Sequence, residues 1–200
     1  MQQLQNTKNP LKRYREYIDE VDAVLSEQVN TKLKIVNRSK PGIHDFQCLI
    51  YYQGQILQFQ LSDVFQAGQY AVLFFCGYDF TQQSKDDLFH IEEHYDTFMK
   101  YGAIPIVMTQ DRAQIHAAYA LPNTTAQSLS FEPSFILASD SADRLISRAF
   151  KSLNMETLEM QRSVIIIDNN LNILFTHRVP DKRYFPMKMI VNCFQQVPFN

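Results

Sequence analysis

The stretch YAVLFFCGYDFTQQS, residues 70–84, decides the fold. Its first seven residues, Tyr70 to Cys76, form an unbroken apolar run, which is typical of a strand buried on both faces of a sheet. Gly77 ends the run, and Thr81 opens a segment, residues 81–101, whose apolar side chains recur at helical spacing. We therefore expect a central strand that leads directly into a helix.

Segments with strand-like and helix-like patterns alternate around this stretch. The predicted strands cover residues 46–52, 56–60, 70–76, 103–108, 134–138, 163–168 and 171–176. The predicted helices cover residues 81–101, 111–120, 140–151 and 184–197. The pairs Gln53-Gly54 and Asn169-Asn170 indicate turns between strands. This order predicts an α/β fold, in which helices cover both faces of one central sheet.

An N-terminal extension, residues 1–37, is expected to precede a main domain of residues 38–200. Asn9 and Pro10 are favourable residues for the start of an amphipathic helix over residues 10–29. Its apolar side chains alternate at spacings of three and four residues and form a narrow seam: Leu11, Tyr14, Ile18, Val21 and Leu25. This seam either folds back on the core of the protein or binds a partner protein as a helix in a groove.

The composition excludes several classes of function. Nineteen lysines and arginines stand against 21 acidic residues, so the chain lacks the positive charge that general nucleic-acid binding requires. No apolar run approaches the ~20 residues that span a bilayer. Cys48, Cys76 and Cys193 are too widely spaced to predict a disulfide framework or a metal site. Nucleotide-binding and serine-hydrolase motifs are absent from the sequence, so we expect no cofactor.

The segment GYDFTQQS, residues 77–84, resembles the active-site loop of the peroxiredoxins, which form the AhpC/TSA branch of the thioredoxin fold and read P-L-D-F-T-x-x-C there. Other segments resemble the family in the same order: residues 40–46 (K-P-A-P-x-F), 61–63 (L-S-D), 107–111 with His116 and Tyr119 (S-x-D and H-x-x-W), 135–140 (F-P-L-L-A-D) and 162–168 (R-G-L-F-I-I-D). The resemblance covers residues 38–197. It implies a thioredoxin-like, peroxiredoxin-type mixed sheet with helices on both faces.

Departures from the family pattern predict a loss of catalysis. The resemblance places Ser84 where a peroxiredoxin has the cysteine that attacks peroxide, and a hydroxyl has no sulfenic-acid chemistry. It also implies that Thr81 and Arg162 are retained from the residues around that cysteine. Gly77 and Lys85 replace the prolines on either side. The four positions Gly77, Thr81, Ser84 and Arg162 are thus expected to be a degenerate peroxiredoxin site with no catalytic residue.

The cysteines leave an enzymatic alternative open. Cys76 lies eight residues before Ser84 and is the candidate for a substitute redox thiol, although we expect it to be inert and buried. Cys48 is expected to belong to the core for the same reason. Cys193 lies inside the last predicted helix, so no resolving cysteine is evident. The other form of the alternative is an active enzyme that carries a cysteine-to-serine substitution at residue 84.

The stretch His90-Ile91-Glu92-Glu93-His94 matches the H-x-x-E-H pattern of one class of zinc peptidases. The two histidines lie at i and i+4 on one helix face, away from the apolar stripe around Leu88 and Ile91. We therefore expect a solvated helix face here and no metal site.

These observations predict a peroxiredoxin-like pseudoenzyme that acts as a structural or accessory subunit of a larger protein assembly. Its expected partners are other protein subunits, and neither nucleic acid nor a transmembrane segment is expected. The first cellular setting to consider is a mitochondrial complex, such as one of the respiratory chain, by analogy with other enzymes that lost catalysis and became subunits of such complexes. The alternative location is the cytoplasm. Neither a secretory signal nor an acid-free transit peptide is evident at the N-terminus. The alternative functions are a thiol peroxidase and a sensor or chaperone-like binding module.

Overall fold

The computed structural model describes residues 45–122, 124–140 and 143–196. Its central element is β3 (Tyr70–Phe75), in which all six residues are buried. On one side β3 pairs in parallel with β4 (Ala103–Thr109), and on the other it pairs antiparallel with β6 (Ser163–Asp168). The prediction of a strand buried on both faces is confirmed at this position.

The other strands are β1 (Gln47–Tyr52), β2 (Gln55–Gln60), β5 (Ile136–Ser139) and β7 (Ile173–Arg178). Within the described residues, seven strands form one mixed sheet in the order β2-β1-β5-β4-β3-β6-β7. The β3–β4 and β4–β5 pairs are parallel, and the other four are antiparallel. A 3₁₀ helix, Leu61–Gln66, connects β2 to β3.

Five α-helices accompany the sheet in the described part of the chain: α1 (Gln82–Glu93), α2 (Tyr95–Lys100), α3 (Ala113–Ala120), α4 (Leu145–Ala149) and α5 (Met187–Gln196). Side chains of α1, α2 and α5 join Val72 and Phe74 of β3 in the main core cluster. Phe75 points to the opposite face, where its ring contacts that of Phe150 at the end of α4. Helices thus cover both faces of the sheet, as the alternation of segments predicted.

The prediction of a single helix over residues 81–101 is wrong in one respect, because the helix is interrupted at His94. There the backbone N–H bonds to the carbonyl of Ile91 at 3.1 Å instead of continuing the regular ladder. Phe98 of α2 is fully buried, so the segment after the break also packs against the core. Gly102 ends this region with a φ of +60°, the conformation expected of a glycine helix stop.

The starts of one helix and of one strand also differ from the prediction, because a buried or turn-forming carboxylate bonds to the local backbone. The helix expected from residue 140 begins at Leu145, and the Asp140 carboxylate accepts the backbone N–H groups of Ile146 and Ser147. The last strand begins at Ile173 rather than 171, because Asp168 accepts N–H bonds within the turn. Local patterning alone does not reveal such side-chain bonds.

The remaining boundaries shift by a few residues. The third helix begins at Ala113 rather than residue 111, and the last helix begins at Met187 rather than residue 184. The predicted hairpin turn Gln53-Gly54 is confirmed, since both residues have positive φ and Tyr52 pairs with Gln55.

Some expectations fall outside the described residues. The N-terminal extension of residues 1–37 and its seam belong to this group, as does the start of the main domain at residue 38. Among the described residues no helix is long and apolar enough to cross a membrane.

Gly68 supplies a test of the packing at the start of β3. A Cβ atom there would lie 2.7 Å from the Gly102 carbonyl oxygen, which accepts the N–H of Tyr70. We expect Gly68→Ala to lower the free energy of unfolding by about 1–3 kcal/mol in urea titrations. The exposed neighbour provides the control, since Ala67→Ser should change it by less than about 0.5 kcal/mol. Equal effects of the two substitutions would contradict this packing.

Candidate functional site

The candidate site begins where β3 leads into α1. Thr81 is the N-cap of α1, and its Oγ1 accepts the N–H of Ser84 at 3.1 Å. The same hydroxyl donates to the carbonyl of Tyr78 at 3.1 Å, which ties the loop to the first turn of the helix. Ser84 is thereby held in the first turn of α1, at the positive end of the helix dipole.

The side chain of Ser84 is enclosed. The residue is 3% exposed, and its Oγ has no hydrogen-bond partner among the described residues. The Tyr119 phenol from α3 lies beside it, and burial raises the pKa of that phenol. The Ser84 hydroxyl beside it opposes this rise, and neither hydroxyl makes a hydrogen bond of good geometry with a described residue. The first turn of α1 therefore presents a neutral, enclosed hydroxyl.

Arg162, just before β6, forms a bidentate ion pair with Asp87 of α1. Its Nε lies 2.9 Å from Asp87 Oδ2, and its Nη2 lies 2.6 Å from Oδ1. The guanidinium also donates to the carbonyls of Pro180 and Arg183 and lies 5.2 Å from the centre of the Phe185 ring. Asp87 is fully buried, and this burial raises its pKa while Arg162 opposes the rise. The charge of Arg162 is thus shared with a carboxylate one turn beyond Ser84.

A pocket of about 540 Å³ brings the predicted positions together. Gly77, Thr81, Ser84 and Arg162 all line it, although Arg162 lies 78 residues beyond Ser84 in the sequence. Cys76 and Asp87 line the same pocket. Asp87 was not among the predicted site residues; its spacing of three residues from Ser84, on one helix face, was the available signal.

The loop at Gly77 has a conformation that proline cannot adopt. Gly77 has a φ of +71°, whereas the pyrrolidine ring holds φ near −65°. Lys85, at the other predicted departure, is half-buried and extends its Nζ to the carbonyl of Ala126 at 3.4 Å. The backbone conformation at Gly77 and the side-chain contact of Lys85 are therefore both features that a proline could not supply.

All three cysteine thiols are free, and their pKa values are raised. Burial is the largest cause for Cys76, which is 4% exposed; Asp87 adds to the rise, and Arg162 opposes it. For Cys48 the causes are burial and the charge of Asp140. Cys193 lies in α5, as predicted, and its Sγ donates to the carbonyl of Met189 at 3.2 Å. At neutral pH these groups are thiols, which are far weaker nucleophiles than thiolates.

A second polar pair lies behind the loop. The Asp79 carboxylate and the His116 Nδ1 are 2.6 Å apart, and both side chains are fully buried. The backbone N–H of Asp79 donates to Asp111 at 2.7 Å. These bonds tie the loop after β3 to α3 and to the end of β4. His116 and Asp111 were noted in the sequence only through the family resemblance, and their bonds to residue 79 were not predicted.

The cluster formed by His90, Glu93 and His94 lies apart from the residues that line this pocket. Both histidines are half-buried, and the ring of His90 is 5.3 Å from that of Tyr184. The face that we expected to be solvated is therefore partly covered at both imidazoles.

Three solved structures of similar fold can be compared with this chain. AhpC of Enterococcus faecalis has a TM-score of 0.67 at 18% identity, covering 78% of this chain and 89% of its own. The mitochondrial 2-Cys peroxiredoxin of Plasmodium falciparum has a TM-score of 0.65 at 17% identity, with coverages of 76% and 88%. The reduced 2-Cys peroxiredoxin of Plasmodium vivax has a TM-score of 0.66 at 17% identity, with 81% of each chain covered. At these identities the likeness demonstrates the shared thioredoxin-like fold.

The sequence itself matches the profile of the AhpC/TSA family over residues 43–176. This match spans more than half of the chain, and the chain therefore belongs to the AhpC/TSA family. No curated protein matches it.

The Asp87–Arg162 pair can be tested by substitution. Asp87→Ala leaves a guanidinium without its carboxylate in a site where the Arg162 side chain is 9% exposed. We expect a loss of about 3–5 kcal/mol in the free energy of unfolding, measured by urea denaturation. Asp86→Ala, on the neighbouring residue, should cost less than about 1 kcal/mol. The double variant Asp87→Leu/Arg162→Met should lose less free energy of unfolding than the sum of the losses in Asp87→Leu and in Arg162→Met. Simple additivity of the two losses would contradict a direct coupling.

The raised pKa of Cys76 predicts low reactivity and a dependence of stability on pH. In the native protein at pH 8, iodoacetamide should label Cys76 far more slowly than free cysteine, as measured by peptide mass spectrometry. Above the ordinary pKa of 9.0, the unfolded thiol ionises while the folded one stays protonated, so stability should fall as the pH rises further. Cys76→Ser should reduce this alkaline loss. Labelling at the rate of free cysteine would contradict the prediction.

Proposed function

We propose that this chain is a catalytically inactive member of the AhpC/TSA family that serves as a structural or accessory subunit of a larger protein assembly. One observation carries the proposal. The capped first turn of α1, which lines the pocket, holds the enclosed hydroxyl of Ser84 and no thiol. The proposal equates this position with that of the peroxide-attacking cysteine in the family.

The chemistry of peroxide reduction explains why this residue matters. A thiolate attacks one peroxide oxygen, the O–O bond breaks, and the sulfur is oxidised to a sulfenic acid while the other oxygen leaves as water or alcohol. The Ser84 oxygen has no corresponding oxidation state to reach. Asp87, one turn further along α1, also holds the Arg162 guanidinium that would otherwise stabilise an anion in this turn.

An interaction role is supported by the described surface. Ile173 and Leu174 of β7 are 43% and 41% exposed, and β7 is an edge strand of the sheet. Exposed apolar side chains and an unpaired strand edge favour contacts with other chains. The seam of the N-terminal extension is the second proposed contact. We propose a mitochondrial, respiratory assembly as the first setting to examine, with a cytoplasmic one as the alternative.

A second candidate function is a thiol peroxidase that works through Cys76. Two observations favour it: Cys76 lines the same pocket as Ser84, and the charge of Arg162 opposes the rise in the pKa of Cys76. The opposing effects of burial and of Asp87 are the reason for ranking it second. An enzyme that carries serine in place of a native cysteine at residue 84 is the other form of this candidate.

Peroxide turnover with a thioredoxin-type reductant distinguishes the two functions. We expect no turnover by the unsubstituted chain. Ser84→Cys should form a sulfenic acid once per chain with hydrogen peroxide, detected by dimedone labelling and mass spectrometry, because the helix terminus and Thr81 remain in place. Ser84→Ala is the matched control and should give no label at this position. Turnover by the unsubstituted chain that disappears in Cys76→Ser would overturn the proposal in favour of the peroxidase.

Purification from the native source tests the subunit role separately. A tagged full-length chain should co-purify with the same companion proteins at fixed stoichiometry through size-exclusion chromatography. Substitution of seam residues, such as Ile18→Asp, should release the chain if the extension makes the contact. Isolation as a monomer or as a homo-oligomer without companions would contradict an accessory subunit.

A further inference from the structure

We propose that His90, Glu93 and His94 form a binding site for one divalent transition-metal ion, with Zn²⁺ as the best-suited occupant. Each side chain offers one ligand atom, and the three atoms lie within 4.8 Å of one another. None of the three residues lines the Ser84 pocket. The site is independent of the proposed function and lies at the junction of α1 and α2.

The break between the two helices orients His94. In a continuous helix the carbonyl of His90 would accept the backbone N–H of residue 94. Here that N–H bonds to Ile91 instead, and the imidazole Nδ1 of His94 lies 2.9 Å from the His90 carbonyl oxygen. Because a carbonyl only accepts, Nδ1 carries the proton, and in the neutral ring Nε2 keeps a free lone pair. A histidine whose other nitrogen donates to a carbonyl is the arrangement that metal-binding histidines adopt.

His90 and Glu93 complete the set. The two imidazole rings have centroids 4.7 Å apart, and the Nδ1 of His90 lies 3.4 Å from the Oε2 of Glu93. The ring of Tyr184 packs against His90 and limits its exposure. Glu93 is 53% exposed, so its carboxylate has room to move. Ligand atoms around a tetrahedral zinc lie about 3.4 Å apart, which side-chain rotation at this surface can achieve.

The donor set specifies the class of metal. Two imidazoles and one carboxylate suit Zn²⁺, Cu²⁺ and Ni²⁺, whereas Mg²⁺ and Ca²⁺ require oxygen ligands. Three protein ligands leave the fourth position of a tetrahedral zinc to solvent. Since two ligands lie in the last turn of α1 and the third, His94, is the residue at the break, a bound ion would tie the junction residue to the end of α1.

Equilibrium dialysis of the metal-stripped full chain against Zn²⁺ tests this site. We expect one zinc ion per chain, and visible absorption of Co²⁺ as a probe of tetrahedral coordination. His94→Asn should weaken zinc binding at least tenfold, and Glu93→Gln should weaken it several-fold. The matched control is His177→Asn, which removes a histidine on β7 and should leave the affinity unchanged.

The outcomes separate cleanly. Absence of stoichiometric zinc in the unsubstituted chain would overturn the proposal, as would zinc binding that His94→Asn and Glu93→Gln leave unaltered. Glu93→Gln guards against a folding artefact, because this side chain is exposed and the substitution keeps its size. Far-UV circular dichroism verifies that each variant retains its helices.

Discussion

The complete burial of β3 is the constraint on which the rest of the structure depends. Hydrogen bonds to β4 and β6 satisfy its backbone, and helices on both faces remove its side chains from water. After a strand of this kind ends, the chain must continue to the surface. The bonds from Cys76 N to the Met108 carbonyl and from Gln110 N to the Gly77 carbonyl extend the β3–β4 contact into the loop. The position of Ser84 in the first turn of α1 follows from that geometry.

Electrostatics then determine what the pocket can do. A helix N-terminus and an arginine would together favour an anion beside Ser84. The buried Asp87 carboxylate counteracts them, because it pairs with both edges of the Arg162 guanidinium. Burial further raises the pKa of the Cys76 thiol. The groups beside Ser84 are thus neutral or already paired, and the proposed lack of peroxide chemistry rests on the serine itself.

Much of the architecture was predictable from patterns along the chain. The apolar run of β3, the Gln53-Gly54 turn and the glycine stop at residue 102 each have a local physical cause, and each is found where it was expected. The predictions failed where distant or side-chain bonds intervene. The helix is interrupted at His94, where the backbone N–H bonds to the Ile91 carbonyl, and the late start of α4 accompanies the Asp140 carboxylate bonds. Periodicity is insensitive to both, because neither changes the pattern of apolar residues.

By itself the sequence determined an α/β fold with helices on both faces of one sheet, the family resemblance and the presence of a serine near the start of a helix. These properties depend on residue type and on spacing within short segments. Only the tertiary structure decided that Arg162 reaches Asp87, that Cys76 is enclosed beside carboxylates, and that His94 turns its Nδ1 toward the His90 carbonyl. Such contacts arise from how the elements pack, and from how a helix is interrupted, so no local pattern in the sequence encodes them.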